Sequence, residues 1–270
     1  NKWTNPANKL SWTFLILLSP IFGLMVYFLF GRSGLTKHTR ERMDAVNRQV
    51  EALFQRDSAV EKGLEKESRS AYLQSSYIDK WAGFPLYQNT QTKYYSCGEE
   101  MFPDMLEALR GAKHFIFLEY FIIEEGYMFN TILDILEEKA KAGVDVRFIY
   151  DDVGSINSIS FGYYKKLQER GIPCVTFNPF KPLISVVMNN RDHRKIFVVD
   201  GYIGFTGGIN LADEYINKVK RFGYWKDTGV RIEGEAVWSL TAMFLEMWNY
   251  INRSTEDYSR FLPSVYREKE

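Results

Sequence analysis

Between residues 99 and 251 two textures alternate along the chain, and that alternation constrains its fold more than any other feature. Met101, Met105, Leu106 and Leu109 recur at helical spacing, and Gly111 follows where such a helix would end. Residues 114–123 are then a run of β-formers interrupted by one acid, Glu119. The pattern repeats with a helix over 131–142 closed by Gly143, a strand over 144–150, and a helix over 161–170 followed by Gly171. Residues 195–199 and 203–205 read as two short strands around the turn Asp200-Gly201. Val230-Arg231-Ile232 reads as another strand, and residues 236–251 as a long helix. Strands alternating with helices predict an α/β domain with a mainly buried sheet. No internal repeat is visible.

Ahead of this region, residues 10–31 carry no charge. As one helix rising about 1.5 Å per residue, they match a hydrocarbon core of roughly 30 Å. The expectation is an N-terminal transmembrane helix, with Pro20 and Gly23 tolerated in mid-span and Trp12 and Tyr27 near the two interfaces. A signal peptide would have a shorter apolar stretch and a small-residue cleavage site. Arg32, Lys37, Arg40 and Arg42 follow the span closely, against Lys2 and Lys9 before it, which places the main body in the cytoplasm beside a cell membrane. Residues 36–70 are dense in Glu, Arg, Lys and Gln and read as an exposed helix or stalk. The expected division is a membrane anchor over 1–35, a charged linker over 36–75 and the main domain over 76–270. Asn1 stands where an initiating Met would, so the chain is expected to be a processed product or a piece of a longer protein.

Composition removes several classes of function. A hydrophobic fraction of 46%, with 20 Phe and 17 Tyr, is incompatible with a disordered chain. Lys and Arg number 34, as do Asp and Glu, and a net charge of zero argues against nucleic acid as a partner. Cys97 and Cys174 are far apart and lack metal-ligand spacing. No carboxylates and histidines cluster in sequence, so the expected chemistry uses neither a metal nor a cofactor.

The segment with chemical content is Asp192-His193-Arg194-Lys195-Ile196-Phe197-Val198-Val199-Asp200-Gly201, which contains H-x-K-x4-D. On a strand, residues two apart share a face, so the His193 imidazole and the Lys195 ammonium converge. That pair suits an anion. Lys195 offers fixed charge, and His193 offers a nucleophile or a general acid near neutral pH. Gly207, Gly208 and Asn210 follow: glycines allow a close approach of backbone to ligand, and an Asn amide donates to a phosphate oxygen. Asp227 precedes the last predicted strand and is the candidate for holding the far ring nitrogen of His193. Glu119 either lines the site or pairs with a buried cation, because an unpaired charge in an apolar strand is costly. Asp151 and Asp152 stand at a strand end before Gly154-Ser155, a position that suits a site or a simple turn.

His193, Lys195, Asp200, Gly207, Gly208 and Asn210 together resemble the signature of the phospholipase D superfamily, and within it the bacterial cardiolipin synthases. The resemblance extends to residues 5–12 and 20–23, to Phe117-Leu118-Glu119-Tyr120-Phe121-Ile122 and to Tyr150-Asp151-Asp152-Val153-Gly154-Ser155. It implies a phospholipase D-like mixed sheet flanked by helices. It also implies a phosphatidyltransferase acting on phosphatidylglycerol in a membrane, with His193 as one of two active-site histidines. Lys195 and Asn210 would then hold phosphate oxygens. Enzymes of the family carry two such motifs and two amino-terminal membrane helices. This chain has one motif and one apolar run, so the partner implied is a second half, from the same longer chain or from another copy. Asp200 belongs to the signature but stands at the far end of its strand, where fastening the turn is the simpler role. Hydrolysis by a phospholipase D or nuclease of the superfamily, and an inactive lipid-binding or assembly half, are the alternatives.

Overall fold

The fold was read from a computed structural model that describes residues 6–31, 37–179 and 191–262. Five helices precede the sheet: α1 (Pro6–Leu18), α2 (Pro20–Phe30), α3 (Lys37–Glu51), α4 (Ser58–Glu67) and α5 (Arg69–Ala82). The remainder alternates as the sequence predicts, with β1 and β4 as strands it did not: β1 (Thr90–Tyr95), α6 (Gly98–Gly111), β2 (Phe115–Tyr120), α7 (Tyr127–Lys141), β3 (Asp145–Asp151), α8 (Tyr163–Glu169), β4 (Cys174–Phe177), β5 (Ile196–Val199), β6 (Ile203–Gly207), β7 (Gly229–Gly234) and α9 (Val237–Asn252).

The seven strands form one sheet in the order β1-β7-β6-β5-β2-β3-β4. β2, β3 and β4 are parallel, whereas β5, β6, β7 and β1 pair antiparallel in succession, so the sheet is mixed. All six residues of β2 are buried, which explains its near-continuous apolar run. Its residues divide by parity. Ile116, Leu118 and Tyr120 join a core with α6, α7 and α8 on the front face. Phe115 and Phe117 join a second core with α9 on the rear. There Phe117 stacks on Phe244 at 4.6 Å. Each such fully buried side chain stabilises the fold by about 1.5–3 kcal/mol.

The single transmembrane helix expected over residues 10–31 is not confirmed by the structure, which divides that stretch in two. α1 and α2 are two helices of 13 and 11 residues. They fold back on each other, with the rings of Trp12 and Tyr27 5.5 Å apart. At about 1.5 Å per residue, each is shorter than a hydrocarbon core of roughly 30 Å. No helix among the described residues is long and apolar enough to cross a membrane. The break falls where Pro20 disfavours helical backbone at its predecessor, and Ser19 adopts φ −146° and ψ 88°. Gly23 permits the close return, since a β-carbon there would stand 2.6 Å from the Leu15 carbonyl oxygen. Leu10, Phe14, Leu17, Leu18 and Ile21 remain exposed on the hairpin. Lys2 and Arg32, used to orient the span, lie outside the described residues.

The stretch read as a stalk is three helices. α3 packs on α9, burying Val50 in the rear core. Gln49 Nε2 donates to the Glu256 carbonyl oxygen at 2.7 Å.

Candidate active site

Topology gathers most of the signature at one end of the sheet. β2 and β3 run together and finish at Tyr120 and Asp151. β5 runs against β2, pairing Ile196 with Glu119, so the residues just before β5 lie at that same end. β6 finishes there at Gly207, opposite Gly229 at the start of β7. His193 and Lys195 precede β5, Asn210 follows β6 and Asp227 precedes β7. These segments meet at the carboxyl ends of the parallel strands, where α/β sheets commonly bind ligands.

His193 is exposed, whereas Lys195 is 4% exposed. Lys195 Nζ lies 3.2 Å from Nδ1 and 3.5 Å from Nε2 of His193, and donates to the His193 carbonyl oxygen at 2.9 Å. Thr206 Oγ1 donates to the Lys195 carbonyl oxygen at 2.9 Å, fixing that backbone to β6. Burial pushes the Lys195 ammonium below its ordinary value, against the opposing charges of Asp227 and Asp192. Phe121, which the sequence did not single out, supplies an apolar wall. Its ring centroid is 4.5 Å from that of His193 and 5.5 Å from Lys195 Nζ.

The glycine pair is required by the backbone. Gly207 has φ 149°, and a β-carbon there would meet the Thr228 carbonyl oxygen at 2.4 Å. A β-carbon on Gly208 would collide with the Asp227 carboxylate. Gly208 N donates to the Thr228 carbonyl oxygen at 3.0 Å, closing residues 207–208 against 227–229. Asn210 is 3% exposed and ties two segments together. Its Oδ1 accepts from Ile122 N at 3.0 Å, and its Nδ2 donates to the Tyr215 hydroxyl at 2.8 Å.

The carboxylates of Asp227 and Asp200 both bond to backbone N–H groups. The Asp227 carboxylate accepts from Thr228 N at 2.8 Å, and no hydrogen bond joins it to His193 among the described residues. Its nearness to Lys195 is electrostatic. Asp200 turns the chain between β5 and β6 with φ 51°, at the end of the sheet away from His193. Its carboxylate accepts from the backbone N–H groups of Lys113, His114 and Phe115, each at 2.8 Å. The physical reason for this departure from a catalytic place is length: four strand residues separate Lys195 from Asp200.

Glu119 is fully buried and pairs with a cation: Arg194 Nη2 approaches its Oε1 at 2.6 Å. Asp151 is 1% exposed and does two things. Its Oδ1 accepts from Gly154 N at 2.8 Å, capping the turn after β3, and its Oδ2 accepts from Asp192 N at 3.0 Å. Arg191 Nη1 lies 3.3 Å from the same carboxylate. Asp192 and Arg194 were missed as site elements, although they flank His193 in the sequence.

The mixed sheet thus carries a paired His and Lys at the carboxyl end of its parallel strands, backed by a glycine pair and a buried Asn. The family model described as "Cardiolipin synthase, PLD-like domain" matches residues 105–248, and the chain belongs to that family. A second model, "Phospholipase_D-nuclease N-terminal", matches residues 1–32. An uncharacterised protein of Streptococcus mutans is 40% identical over 268 residues, 99% of this chain and 58% of that protein. Cardiolipin synthase 1 of Bacillus anthracis is 35% identical over 260 residues, 94% of this chain and 50% of that protein. The chain thus spans about half the length of these curated relatives. Nuc of Salmonella typhimurium, a phospholipase D family member of solved structure, aligns with a TM-score of 0.44 at 23% identity, covering 63% of this chain and 97% of that one.

Proposed function

We propose that the protein is a cardiolipin synthase-type phosphatidyltransferase, which moves a phosphatidyl group from one phosphatidylglycerol to another and yields cardiolipin and glycerol. The observation that carries this reading is the contact between Lys195 Nζ and the exposed ring of His193, in a chain of the cardiolipin synthase domain family. A ring nitrogen of His193 attacks phosphorus and forms a P–N bond as the P–O bond to glycerol breaks. A second histidine, from the remainder of a longer chain or from another copy, gives its proton to the departing glycerol oxygen. It then takes the proton of the incoming glycerol hydroxyl, which attacks phosphorus and breaks the P–N bond. Lys195 meets charge on the phosphoryl oxygens, where a fixed cation favours the transition state over the free lipid. The second amide hydrogen of Asn210 and the close backbone at Gly207 and Gly208 add donors and room. Asp227 sustains the ammonium of Lys195. The exposed apolar hairpin of α1 and α2 keeps residues 76–270 beside the lipid, on the cytoplasmic side of the membrane.

The test is to reconstitute the full-length protein in phosphatidylglycerol vesicles and measure cardiolipin and glycerol by mass spectrometry. Equal molar formation of both supports transfer. Phosphatidic acid and glycerol without cardiolipin would replace transfer by hydrolysis.

A further inference from the structure

We infer that Glu119 is a positioning residue, which together with Asp192 and Arg194 holds the backbone on both sides of His193 from the rear face of the sheet. Residues 191–195 lie outside any strand, since β5 begins only at Ile196. His193 therefore has no ladder hydrogen bonds of its own to fix it, and side chains take over that task. Parity sends His193 and Lys195 to the front face with Phe197, and sends Asp192 and Arg194 to the rear with Ile196.

On the rear face the anchors are dense. Arg194 Nε donates to Asp192 Oδ1 at 2.9 Å, and Arg194 N to the same oxygen at 3.3 Å. Arg194 Nη2 sits 2.6 Å from Glu119 Oε1. Glu119 belongs to β2, all six residues of which are buried, so it is a fixed point for a segment outside any strand. Asp151 completes the hold by accepting from Asp192 N at 3.0 Å.

The protonation of the cluster follows from its geometry. Neither carboxyl oxygen of Glu119 receives a hydrogen bond of acceptable angle, although both are buried. A buried carboxylate in that condition would be costly. The Asp192 carboxyl group acts on Glu119 in the same direction as burial, toward the neutral form. Burial raises Glu119 well above the usual range and Asp192 raises it further, against the charge of Arg194. Burial also acts to raise Asp192, but the hydrogen bond from Glu119 and the charge of Arg194 outweigh it and bring it below its ordinary value. Glu119 is thus biased toward its neutral form, and the close pair of Asp192 and Arg194 balances in charge. A neutral, connected cluster can be buried where an unbalanced one cannot. Glu246 of α9 is the other acid facing Arg194.

The consequence for catalysis rests on the proposed transferase reading; the consequence for His193 itself does not. The test uses the full-length protein with Glu119→Leu, Glu119→Gln and the double variant Glu119→Leu/Arg194→Met, which removes both partners of the Glu119–Arg194 contact. Two readouts are taken: kcat and KM for phosphatidyl transfer, and the carbethoxylation rate of His193 by diethyl pyrocarbonate, with His114 as internal reference in the same peptide map. Misplacing a reacting group by about 1 Å costs about 100-fold, so Glu119→Leu and the double variant are expected to lose about that factor in kcat with KM within about twofold. The reactivity of His193 relative to His114 changes in both. Glu119→Gln keeps a side chain of the same length, with a carbonyl oxygen facing Arg194 Nη2, and recovers most of the loss in both readouts. The inference is overturned if a folded Glu119→Leu or double variant keeps wild-type kcat and His193 reactivity, or if Glu119→Gln loses as much as Glu119→Leu. A wild-type protein without transferase activity would refute the proposed function, while the carbethoxylation rates would still decide the placement of His193.

Discussion

A β-carbon added to Gly208 would stand 1.9 Å from Oδ1 of Asp227. The glycine pair therefore serves the packing of one strand end on another, and through it the place of a carboxylate near Lys195. Gly208→Ala must push Asp227 from its bond with Thr228 N. Turnover should fall between about 10-fold and about 100-fold, the scale of a 1 Å displacement in a preorganised site. Circular dichroism should be unchanged. Wild-type turnover in this variant would show that the position of Asp227 is immaterial.

Asp200 separates signature from chemistry. Its carboxylate satisfies three backbone N–H groups at the start of β2. Asp200→Ala strands them, and with hydrogen bonds to a charged group worth about 1.5–3 kcal/mol each, the loss of stability should be about 3 kcal/mol or more. Urea unfolding of the full-length protein measures this directly. The kcat per folded molecule should stay within about threefold, because the residue lies remote from the reacting groups. Unchanged stability with lost turnover would place Asp200 in the reaction after all.

Glu246 gives the fold a pH dependence of defined sign. Burial raises it from 4.5 to about 7, with Arg194 opposing. Below the unfolded value both states hold the proton and the group contributes nothing. As pH rises from 4.5 toward about 7, the unfolded chain releases the proton first, so stability falls. Beyond that the full cost remains, at most about 3 kcal/mol. Glu246→Gln should match wild type at the acid end of this window and be the more stable protein at about pH 8. Glu119 is unaltered in the comparison, so its own contribution cancels. A variant equally stable at both ends would remove the assignment.

Local signals made the α/β core legible. Glycines closed three helical patterns near their observed ends, at Gly111, Gly143 and Gly171, and the turn Asp200-Gly201 was read from two residues. The convergence of His193 with Lys195 followed from parity alone. Other features depended on tertiary packing. β4 has only four residues, and β1 is an edge strand with an exposed, polar face, so neither carries a periodic signal. Absence of charge over residues 10–31 says nothing of the break between α1 and α2, which Pro20 and Gly23 set. The bond of Asp227 to its neighbour Thr228, in place of His193, is a matter of ångströms that spacing cannot convey. Arg194 and Asp192 were hidden by standing next to the more conspicuous His193 and Lys195, on the opposite face of the chain.

The central claim is that His193 becomes covalently bound to phosphorus, and trapping the intermediate tests it most directly. The full-length protein would be mixed with phosphatidylglycerol, quenched within the first turnover and digested at neutral to alkaline pH to spare an acid-labile P–N bond. The account predicts a phosphatidyl adduct on the peptide containing His193, absent from His193→Asn, with cardiolipin formation lost in that variant. A folded His193→Asn protein that still makes cardiolipin, or an adduct carried by another residue while His193 stays unmodified, would contradict it.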